Sequence, residues 1–326
     1  MEQRTLGRTG RPVSVVGLGT WQLGADWGEV CEDDAHAVLA ASVEAGVTFF
    51  DTADVYGDGR SEQVIGRFLR EHPSVVVATK MGRRMDQVPE NYALANFRAW
   101  TDRSRRNLGV DTLDLVQLHC PPSAVIDADA TYDALDTLVA DGAIAAYGVS
   151  VETADQALTA IARPHVASIQ IILNAFRLKP LDRVLPAAAE AGVAIIARVP
   201  LASGLLSGRY DERTTFAPDD HRTYNRDGSA FDVGETFSGV DFASGVRAAQ
   251  EFTALVRDLD LTPAQAALAW VVQQPGVTTV IPGARNADQA RANAAAGLAA
   301  PLPDSVLEGA TRIYDAYFRE AIHGRW

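Results

Sequence analysis

Short apolar runs alternate along the chain with segments of helical periodicity, and this alternation constrains the fold more than any other feature. Strands that are apolar along their whole length, separated by amphipathic helices, are typical of a parallel sheet covered by helices. Eight such strands predict an α/β protein folded as a (β/α)8 TIM barrel, with a doubly wound open sheet as the alternative. The predicted strands lie at residues 15–18, 48–50, 75–79, 113–118, 145–149, 169–173, 194–199 and 279–281.

Three segments lie outside this alternation. Residues 2–15 contain a Thr-Gly pair that favours a turn, and they predict an N-terminal hairpin. Residues 208–245 form a long connection after the seventh strand, which is typical of a lid or a flexible insertion. Because βα loops build the active face of a barrel, we favour the lid. Residues 304–321 predict a C-terminal helix, and no repeat or linker divides residues 1–326, which predicts a single domain.

The charge balance and the cysteine count narrow the classes of function. The 29 Lys and Arg residues against 42 Asp and Glu residues give a net charge of −13, which argues against nucleic acid or an anionic membrane as a partner. Cys31 and Cys120 have neither disulfide-framework nor zinc-site spacing, so we expect reduced thiols and no metal. The start of the chain has no apolar run of signal-peptide length, and no stretch approaches the length of a membrane span, which predicts a cytoplasmic protein.

Three ionisable residues share one position in the predicted fold. Asp51, Lys80 and His119 each follow directly after an apolar run, at the C-terminal end of a predicted strand. In a barrel these ends meet at the catalytic face. Any one of these three residues alone is equally well explained as a capping residue or as an ion-paired residue with no catalytic role. Together with Tyr56, they predict an active site.

This set of residue types suits proton donation to a carbonyl oxygen. A tyrosine ordinarily titrates near ~10, and a neighbouring ammonium stabilises its phenolate, so we expect Lys80 to lower the pKa of Tyr56. Asp51 would keep Lys80 charged and oriented, and a neutral His119 would donate a hydrogen bond that positions the carbonyl. Tyr56 is then the predicted general acid.

The motifs around these residues resemble those of the aldo-keto reductase family. The resemblance covers nearly the whole chain apart from the long loop and the tail. It implies an (α/β)8 barrel and hydride transfer between a nicotinamide cofactor and a carbonyl or alcohol, with Asp51, Tyr56, Lys80 and His119 as the catalytic residues. The motifs are FDTADVYGDGRSE at residues 50–62, Thr79-Lys80, LVQLH at 115–119, RTLGRTG at 4–10 and IPG at 281–283.

The same resemblance implies a binding site for the cofactor. Residues 200–208, PLASGLLSG, look like a strap around the pyrophosphate, where glycine allows close approach of the backbone. Arg285, near a helix start, matches a partner for a 2′-phosphate, and it is the reason to expect NADPH. The implied cofactor residues are Gly19, Thr20, Trp21, Ser150, Gln170, Asn174, Arg198, Pro200, Leu201, Gly204, Leu206, Gly208, Gly283, Arg285, Gln289 and Asn293.

Arg198 departs from the family pattern, because many relatives carry an aromatic residue there against the nicotinamide. Its guanidinium is expected to stack on that ring, to reach the substrate, or to pair with a carboxylate. Trp21 and Trp27 are candidates for an apolar wall of the substrate site. A closed long loop would bring Arg222, His221 and Tyr224 to a polar substrate. Cys120, beside His119, is expected to serve in packing because the motif places no base next to it.

The sequence leaves three functions open. The first is reduction of a small carbonyl substrate by NADPH. The second treats Lys80 as the Schiff-base lysine of a barrel aldolase, and the third is an NADPH-binding sensor subunit with little turnover. The complete set of four catalytic residues favours the reductase. The substrate, the direction of reaction and the choice between a monomer and a small homo-oligomer are not predicted.

Overall fold

Eight parallel strands form a closed barrel in the computed structural model, which describes residues 1–24, 31–218 and 220–326. Each of the eight strands pairs in parallel with the next, in chain order. The backbone N–H of Gly17 donates to the Val280 carbonyl at 2.8 Å, and that of Gly19 to Pro282 at 3.0 Å, which joins the first barrel strand to the last. The barrel strands are β3 (Leu18–Gly19), β4 (Phe49–Asp51), β5 (Val76–Met81), β6 (Leu115–His119), β7 (Tyr147–Ser150), β8 (Val166–Ile172), β9 (Ala194–Arg198) and β10 (Val277–Val280).

Helices cover the outside of the barrel, and this confirms the predicted (β/α)8 fold over the open sheet. Local signals set several of their boundaries: α6 and α10 begin with capping boxes at Thr153 and Thr262. The predicted C-terminal helix breaks at Phe318 into two pieces. The helices are α1 (Glu32–Glu44), α2 (Arg60–Leu69), α3 (Leu94–Leu108), α4 (Ser123–Asp127), α5 (Asp129–Ala140), α6 (Ala154–Ile161), α7 (Pro180–Ala191), α8 (His221–Tyr224), α9 (Phe242–Val256), α10 (Pro263–Val272), α11 (Ala287–Ala295), α12 (Asp304–Tyr317) and α13 (Arg319–Ile322).

The interior of the barrel is apolar at one end and polar at the other. Side chains alternate between the two faces of a strand, so every second residue of a barrel strand points inward. In β5 the inward series runs Val76, Ala78, Lys80, where the first two belong to the interior apolar cluster. The other members of that cluster are Leu6, Val13, Phe49, Leu115, Ala194, Ile196 and Ile281. The polar members of each inward series therefore gather at the C-terminal end.

The predicted N-terminal hairpin is present and closes the apolar end. Strand β1 (Gln3–Thr5) pairs antiparallel with β2 (Pro12–Ser14). Gly7, in the connection between them, has φ +49°, and a Cβ there would lie 2.1 Å from the carbonyl oxygen of Ala167. Only glycine lets the hairpin approach the barrel this closely. Leu6 and Val13 then complete the interior core.

The long connection at residues 208–245 has structure of its own. It contains α8 and two short 3-10 turns at Val233–Glu235 and Phe237–Gly239. His221 and Phe237 are buried, and the Trp326 indole donates from Nε1 to Asp232 at 3.1 Å. The connection therefore packs against the rest of the protein. Among the described residues, no helix combines the length and the apolarity that a bilayer crossing requires.

Candidate active site

Strand register places the predicted catalytic residues at one end of the barrel. Asp51 is the last residue of β4, His119 is the last residue of β6, and Lys80 is the second to last of β5. Asp51 and Lys80 each follow an interior apolar residue two positions earlier, and His119 lies four positions after the interior Leu115, as the alternation of the strands requires. Tyr56 comes from the loop after β4. All four side chains meet at the C-terminal face, where barrel enzymes carry their chemistry.

Asp51 and Lys80 form a buried ion pair. They are 2% and 1% exposed, and Lys80 Nζ donates to Asp51 Oδ1 and, at 3.0 Å, to the carbonyl oxygen of Thr52. The other oxygen, Asp51 Oδ2, accepts from Gln170 Nε2 at 2.8 Å and from Gln117 Nε2 at 3.1 Å. Burial by itself lowers the pKa of Lys80, but Asp51 and then Tyr56 raise it above its ordinary value. Lys80 is therefore an ammonium.

Tyr56 carries its proton in this environment. Lys80 Nζ lies 3.4 Å from the Tyr56 hydroxyl oxygen. Burial raises the pKa of Tyr56, and although Lys80 lowers it, Asp51 and Glu235 raise it further, so that it ends above its ordinary value. Lys80 lowers the pKa of Tyr56 as expected, but desolvation of the phenolate outweighs the attraction of the ammonium. A protonated hydroxyl next to an ammonium is suited to act as an acid.

His119 is neutral. Burial lowers its pKa well below the ordinary value, and the positive charges of Arg83, Lys80 and Arg198 lower it further. Its ring lies 6.0 Å from the ring of Tyr56, between centroids. Its main-chain carbonyl accepts from Arg83 Nε at 3.2 Å and from Gln87 Nε2 at 3.1 Å. These two bonds fix the backbone that carries the imidazole.

A cavity of about 720 Å³ extends from these residues along the barrel mouth. Asp51, Tyr56 and His119 line one part of it, and Arg285 lines another. Most of the predicted cofactor residues line the same cavity: Gly19, Thr20, Trp21, Ser150, Gln170, Arg198, Pro200, Leu201, Gly204, Gly283, Arg285, Gln289 and Asn293.

Three predicted cofactor residues do not line the cavity. Asn174 is fully buried, where Nδ2 donates to the carbonyl of Val199 at 2.9 Å and Oδ1 accepts from the N–H of Phe176 at 2.8 Å. Its amide thus bonds to the backbone at both ends and supports Val199, and a direct contact of Asn174 with the cofactor stays a prediction. Leu206 is 1% exposed and packs in the core, and Gly208 ends the strap in a left-handed conformation. Both residues were predicted from the strap motif. The sequence alone does not tell which residues of the strap face the cavity and which face the core.

The strap, residues 200–208, and Val199 directly before it have an unusual backbone. Val199, Ala202 and Ser203 have φ values of 53°, 48° and 55°, which non-glycine residues rarely adopt. Gly204 follows at φ +95°, and a Cβ there would lie 2.3 Å from the Tyr210 hydroxyl. Such conformations cost energy and occur at functional sites, where the surroundings hold them.

At the other end of the cavity, side chains of α11 organise the segment around Arg285. Gln289 Oε1 accepts from the Arg285 N–H at 2.9 Å, and Asn293 Nδ2 donates to the Gly283 carbonyl at 3.0 Å. Asn286 caps the helix by accepting from the Gln289 N–H. The exposed Arg285 side chain therefore stands beside an ordered helix N-terminus, which favours binding of an anion.

Arg198 pairs with carboxylates, the third of the expected alternatives. Its guanidinium donates to Glu235 Oε1, to Glu152 Oε2 at 3.0 Å and to the Val151 carbonyl at 3.1 Å. Burial raises the pKa of Glu152, but Arg198 and Arg83 bring it below the ordinary value, so this carboxylate is charged. Cys120 Sγ lies 3.7 Å from Arg198 Nη2, and burial raises the pKa of this thiol to about 12. Cys120 is therefore an unreactive thiol, in line with the expected packing role.

An apolar patch lies opposite these charges. Trp21 stacks on Tyr56 at 6.1 Å and contacts Phe231 edge-on at 5.9 Å, between ring centroids. His221 and Arg222 line the cavity, whereas Tyr224, which was considered with them, does not. Trp27, the other proposed wall residue, lies outside the described residues.

The sequence did not identify four residues that shape the site. Gln117 lies two positions before His119, and the alternation of β6 was a signal that would have found it. Arg83, Glu152 and Glu235 come from loops, where no periodicity tells which way a side chain points.

Comparison with known proteins identifies the class of protein. The sequence profile of the aldo/keto reductase family matches residues 15–315. The chain therefore belongs to the aldo/keto reductase family and is an oxidoreductase, as the motifs predicted.

Individual relatives are similar to this chain over most of their length. The chain is similar to the glycerol dehydrogenase AKR11B4 from Gluconobacter oxydans, with 30% identity and a TM-score of 0.77 over 94% of this chain and 93% of that one. It is similar to the aldo-keto reductase AKR11C1 from Bacillus halodurans, with 26% identity and a TM-score of 0.78 over 99% of both chains. The aldo-keto reductase yakc of Schizosaccharomyces pombe, which has NADP(+) in its name, is 27% identical over 84% of this chain and 80% of that protein.

Proposed function

We propose that the protein reduces an aldehyde or ketone with NADPH, with Tyr56 as the proton donor. The observation that supports this most directly is the meeting of a protonated Tyr56, an ammonium at Lys80 and a neutral His119 at one end of the cavity. These are the protonation states that reduction of a carbonyl requires before the reaction starts.

The chain's own residues fit a bound dinucleotide. Arg285 beside the start of α11 would hold a 2′-phosphate, the backbone of the strap from Pro200 to Gly204 would face the pyrophosphate, and Ser150 and Gln170 would lie beside the nicotinamide. Bound NADPH supplies a hydride to the carbonyl carbon. The NADP(+) in the name of the fission-yeast relative supports the same choice of cofactor.

The proton follows a short route. Neutral His119 donates a hydrogen bond to the carbonyl oxygen, and Tyr56 transfers its proton to that oxygen as it becomes an alkoxide. The phenolate that forms on Tyr56 lies 3.4 Å from Lys80 Nζ and is stabilised by its charge. Asp51 keeps Lys80 protonated and in place, because Gln117 and Gln170 hold the carboxylate that binds it.

The aldolase alternative fits the structure poorly. A Schiff-base lysine attacks a carbonyl as a neutral amine, usually after burial has lowered its pKa. At Lys80 the pKa is raised instead, because Asp51 binds the ammonium.

We further propose that residues 208–245 act as a lid and that the protein is cytoplasmic.

A fluorescence titration with NADPH and NADH tests the cofactor, and NADPH oxidation with aldehydes, ketones and quinones tests the reaction. We expect saturable NADPH binding that is tighter than NADH binding, and turnover with at least one carbonyl class. Tight NADPH binding with no turnover across the panel would favour the sensor function. Absence of binding to either nucleotide would contradict both.

A further inference from the structure

The cavity wall beside His119 carries two arginines, Arg83 and Arg198, which are bound by carboxylates to different degrees. Apart from Asp51, whose charge Lys80 balances, the charged side chains of this wall are Arg83, Arg198 and Glu235. Arg198 is bound by Glu235 and by Glu152, which lies behind the wall. Arg83 Nη2 lies 3.8 Å from Glu152 Oε1, too far for a hydrogen bond. Among the described residues, Arg83 therefore forms a long ion pair with Glu152 but lacks the carboxylate hydrogen bonds that Arg198 makes.

Arg83 is fixed at one end of its guanidinium and open at the other. Nε donates to the main-chain carbonyl of His119 at 3.2 Å, which holds the group against the catalytic histidine. Within residues 1–24, 31–218 and 220–326, neither terminal nitrogen of Arg83 donates a hydrogen bond to the protein. The side chain is 24% exposed and lines the cavity. A guanidinium in this state presents two parallel N–H groups to a ligand.

We propose that the substrate is a short oxo acid, a compound with the reacting carbonyl and a carboxylate a few bonds away, and that Arg83 binds the carboxylate. This inference rests on the proposed reductase function. Two parallel N–H groups match the two oxygens of a carboxylate in a bidentate pair. Because Arg83 is bonded to the backbone of His119, the carboxylate is held close to the carbonyl that His119 positions.

The charge of the wall selects a carboxylate over a phosphate ester. Glu152 and Glu235 already balance Arg83 and Arg198, so a ligand carboxylate adds one negative charge beside these glutamates, whereas a phosphate dianion would add two and be repelled more strongly. Trp21 and Phe231 supply apolar surface for the carbon chain. The reaction leaves the carboxylate unchanged: the carbonyl carbon gains a hydride from NADPH, the oxygen gains the proton of Tyr56, and the product is a hydroxy acid.

Matched acids and esters test the proposal. kcat/KM with NADPH would be measured for oxo acids of two to six carbons and for the methyl ester of each. We expect at least one acid to be preferred over its ester by 10-fold or more. In Arg83→Gln, kcat/KM of that acid should fall about 100-fold relative to that of its ester, since only the acid loses a charge-assisted bidentate contact. Any loss with the ester measures the support that Arg83 gives to the backbone of His119.

A neighbouring arginine provides the control. Arg84 Nη1 binds Asp58 Oδ1 at 2.6 Å and does not line the cavity. Arg84→Gln should keep the preference for the acid. Equal losses for acid and ester in Arg83→Gln would mean that Arg83 only supports His119, and a wild-type protein that prefers the ester would also overturn the proposal.

A binding measurement separates this inference from the reductase function. Calorimetric titration of the protein with butanoate, in the presence of saturating NADPH, should show saturable binding that disappears in Arg83→Gln and persists in Arg84→Gln. Failure of every carbonyl to oxidise NADPH would count against the reductase, whereas butanoate binding that Arg83→Gln leaves unchanged would count against the carboxylate site alone.

Discussion

Two buried charged clusters face the same cavity, and they are built in different ways. The Asp51 cluster consists of barrel-strand residues, with Lys80, Gln117 and Gln170 bonded to one carboxylate. The Arg198 cluster joins one strand residue to two loop residues, Glu152 after β7 and Glu235 from the long connection. The first needs only the register of neighbouring strands. The second needs a distant segment of the chain to fold over the barrel.

This difference has energetic consequences. Each cluster pairs charges away from water, where breaking a pair leaves an uncompensated charge and costs several kcal/mol. In the Asp51 cluster the same charges also serve the proposed chemistry. In the Arg198 cluster the ion pairs join the long connection to the barrel. We therefore expect loss of this cluster to act mainly on the stability of the protein.

The largest expected effect belongs to the first cluster. Tyr56→Phe removes the proton donor and keeps the ring that packs on Trp21. We expect carbonyl reduction to fall by about 1000-fold, in the middle of the range for loss of a general acid, ~10² to 10⁴. The Kd for NADPH should change less than 2-fold. Stopped-flow NADPH oxidation and a fluorescence titration check the two parts, and unchanged turnover would refute Tyr56 as the acid.

The next effect belongs to the second cluster. Arg198→Met removes the cation bonded to Glu235 and leaves Glu152 with only the longer ion pair to Arg83, and we expect the free energy of unfolding at pH 7 to fall by about 3 kcal/mol. Urea denaturation measures this. The loss should shrink as the pH falls below the ordinary range of carboxyl pKa values, because protonated carboxyls need no partner.

Glu235→Gln is the matched control for this change. Arg198 keeps Glu152 as a partner in that variant, so we expect a loss of only about 1 kcal/mol. A similar loss in both variants would mean that the cluster contributes through packing and not through charge.

The strand-built cluster was largely predictable, and the loop-built one was not. Asp51, Lys80 and His119 stand at the ends of apolar runs, and the alternation of inward and outward side chains fixes where such residues meet. Arg198 could be placed on a strand, but its partners could not be found. Glu235 lies 37 positions away, in a segment without periodicity. Asn174 shows the same limit, since the motif predicted its position but not that the backbone of Val199 would take its amide.

Asp54 is a buried carboxylate that, unlike those of the two clusters, forms no ion pair within the described part of the chain. It is fully buried, and among the described residues neither side-chain oxygen accepts a hydrogen bond. Burial first, and then the charge of Glu62, raise its pKa from 3.8 to about 7. The folded state therefore holds a proton that the unfolded state releases near its ordinary pKa. This contribution to stability is complete below that pKa and is lost as the pH rises through about 7.

Asp54→Asn should remove this pH dependence. Between pH 5 and pH 8 we expect the free energy of unfolding of the variant to gain about 2.5 kcal/mol relative to the wild type, from ~1.4 kcal/mol per pH unit up to the folded pKa. Denaturation curves at both pH values measure it. Asp58→Asn is the control, because Arg84 and Arg103 lower the pKa of the exposed Asp58, so its contribution is lost as the pH falls. A constant difference between Asp54→Asn and the wild type would contradict the assignment.

The smallest effect is expected at an exposed charge on the same cavity. The Arg285 side chain is exposed, so in Arg285→Ala the free energy of unfolding should stay within ~0.5 kcal/mol of the wild type. The Kd for NADPH should rise about 10-fold, because a charge-assisted contact with the 2′-phosphate is lost. The Kd for NADH, which lacks that phosphate, should change less than 2-fold.

Added salt should reduce the difference between the NADPH affinities of the wild type and Arg285→Ala, since exposed charges are screened. Equal losses for both nucleotides would remove Arg285 as the phosphate partner, and a large loss of stability would place it with the buried clusters.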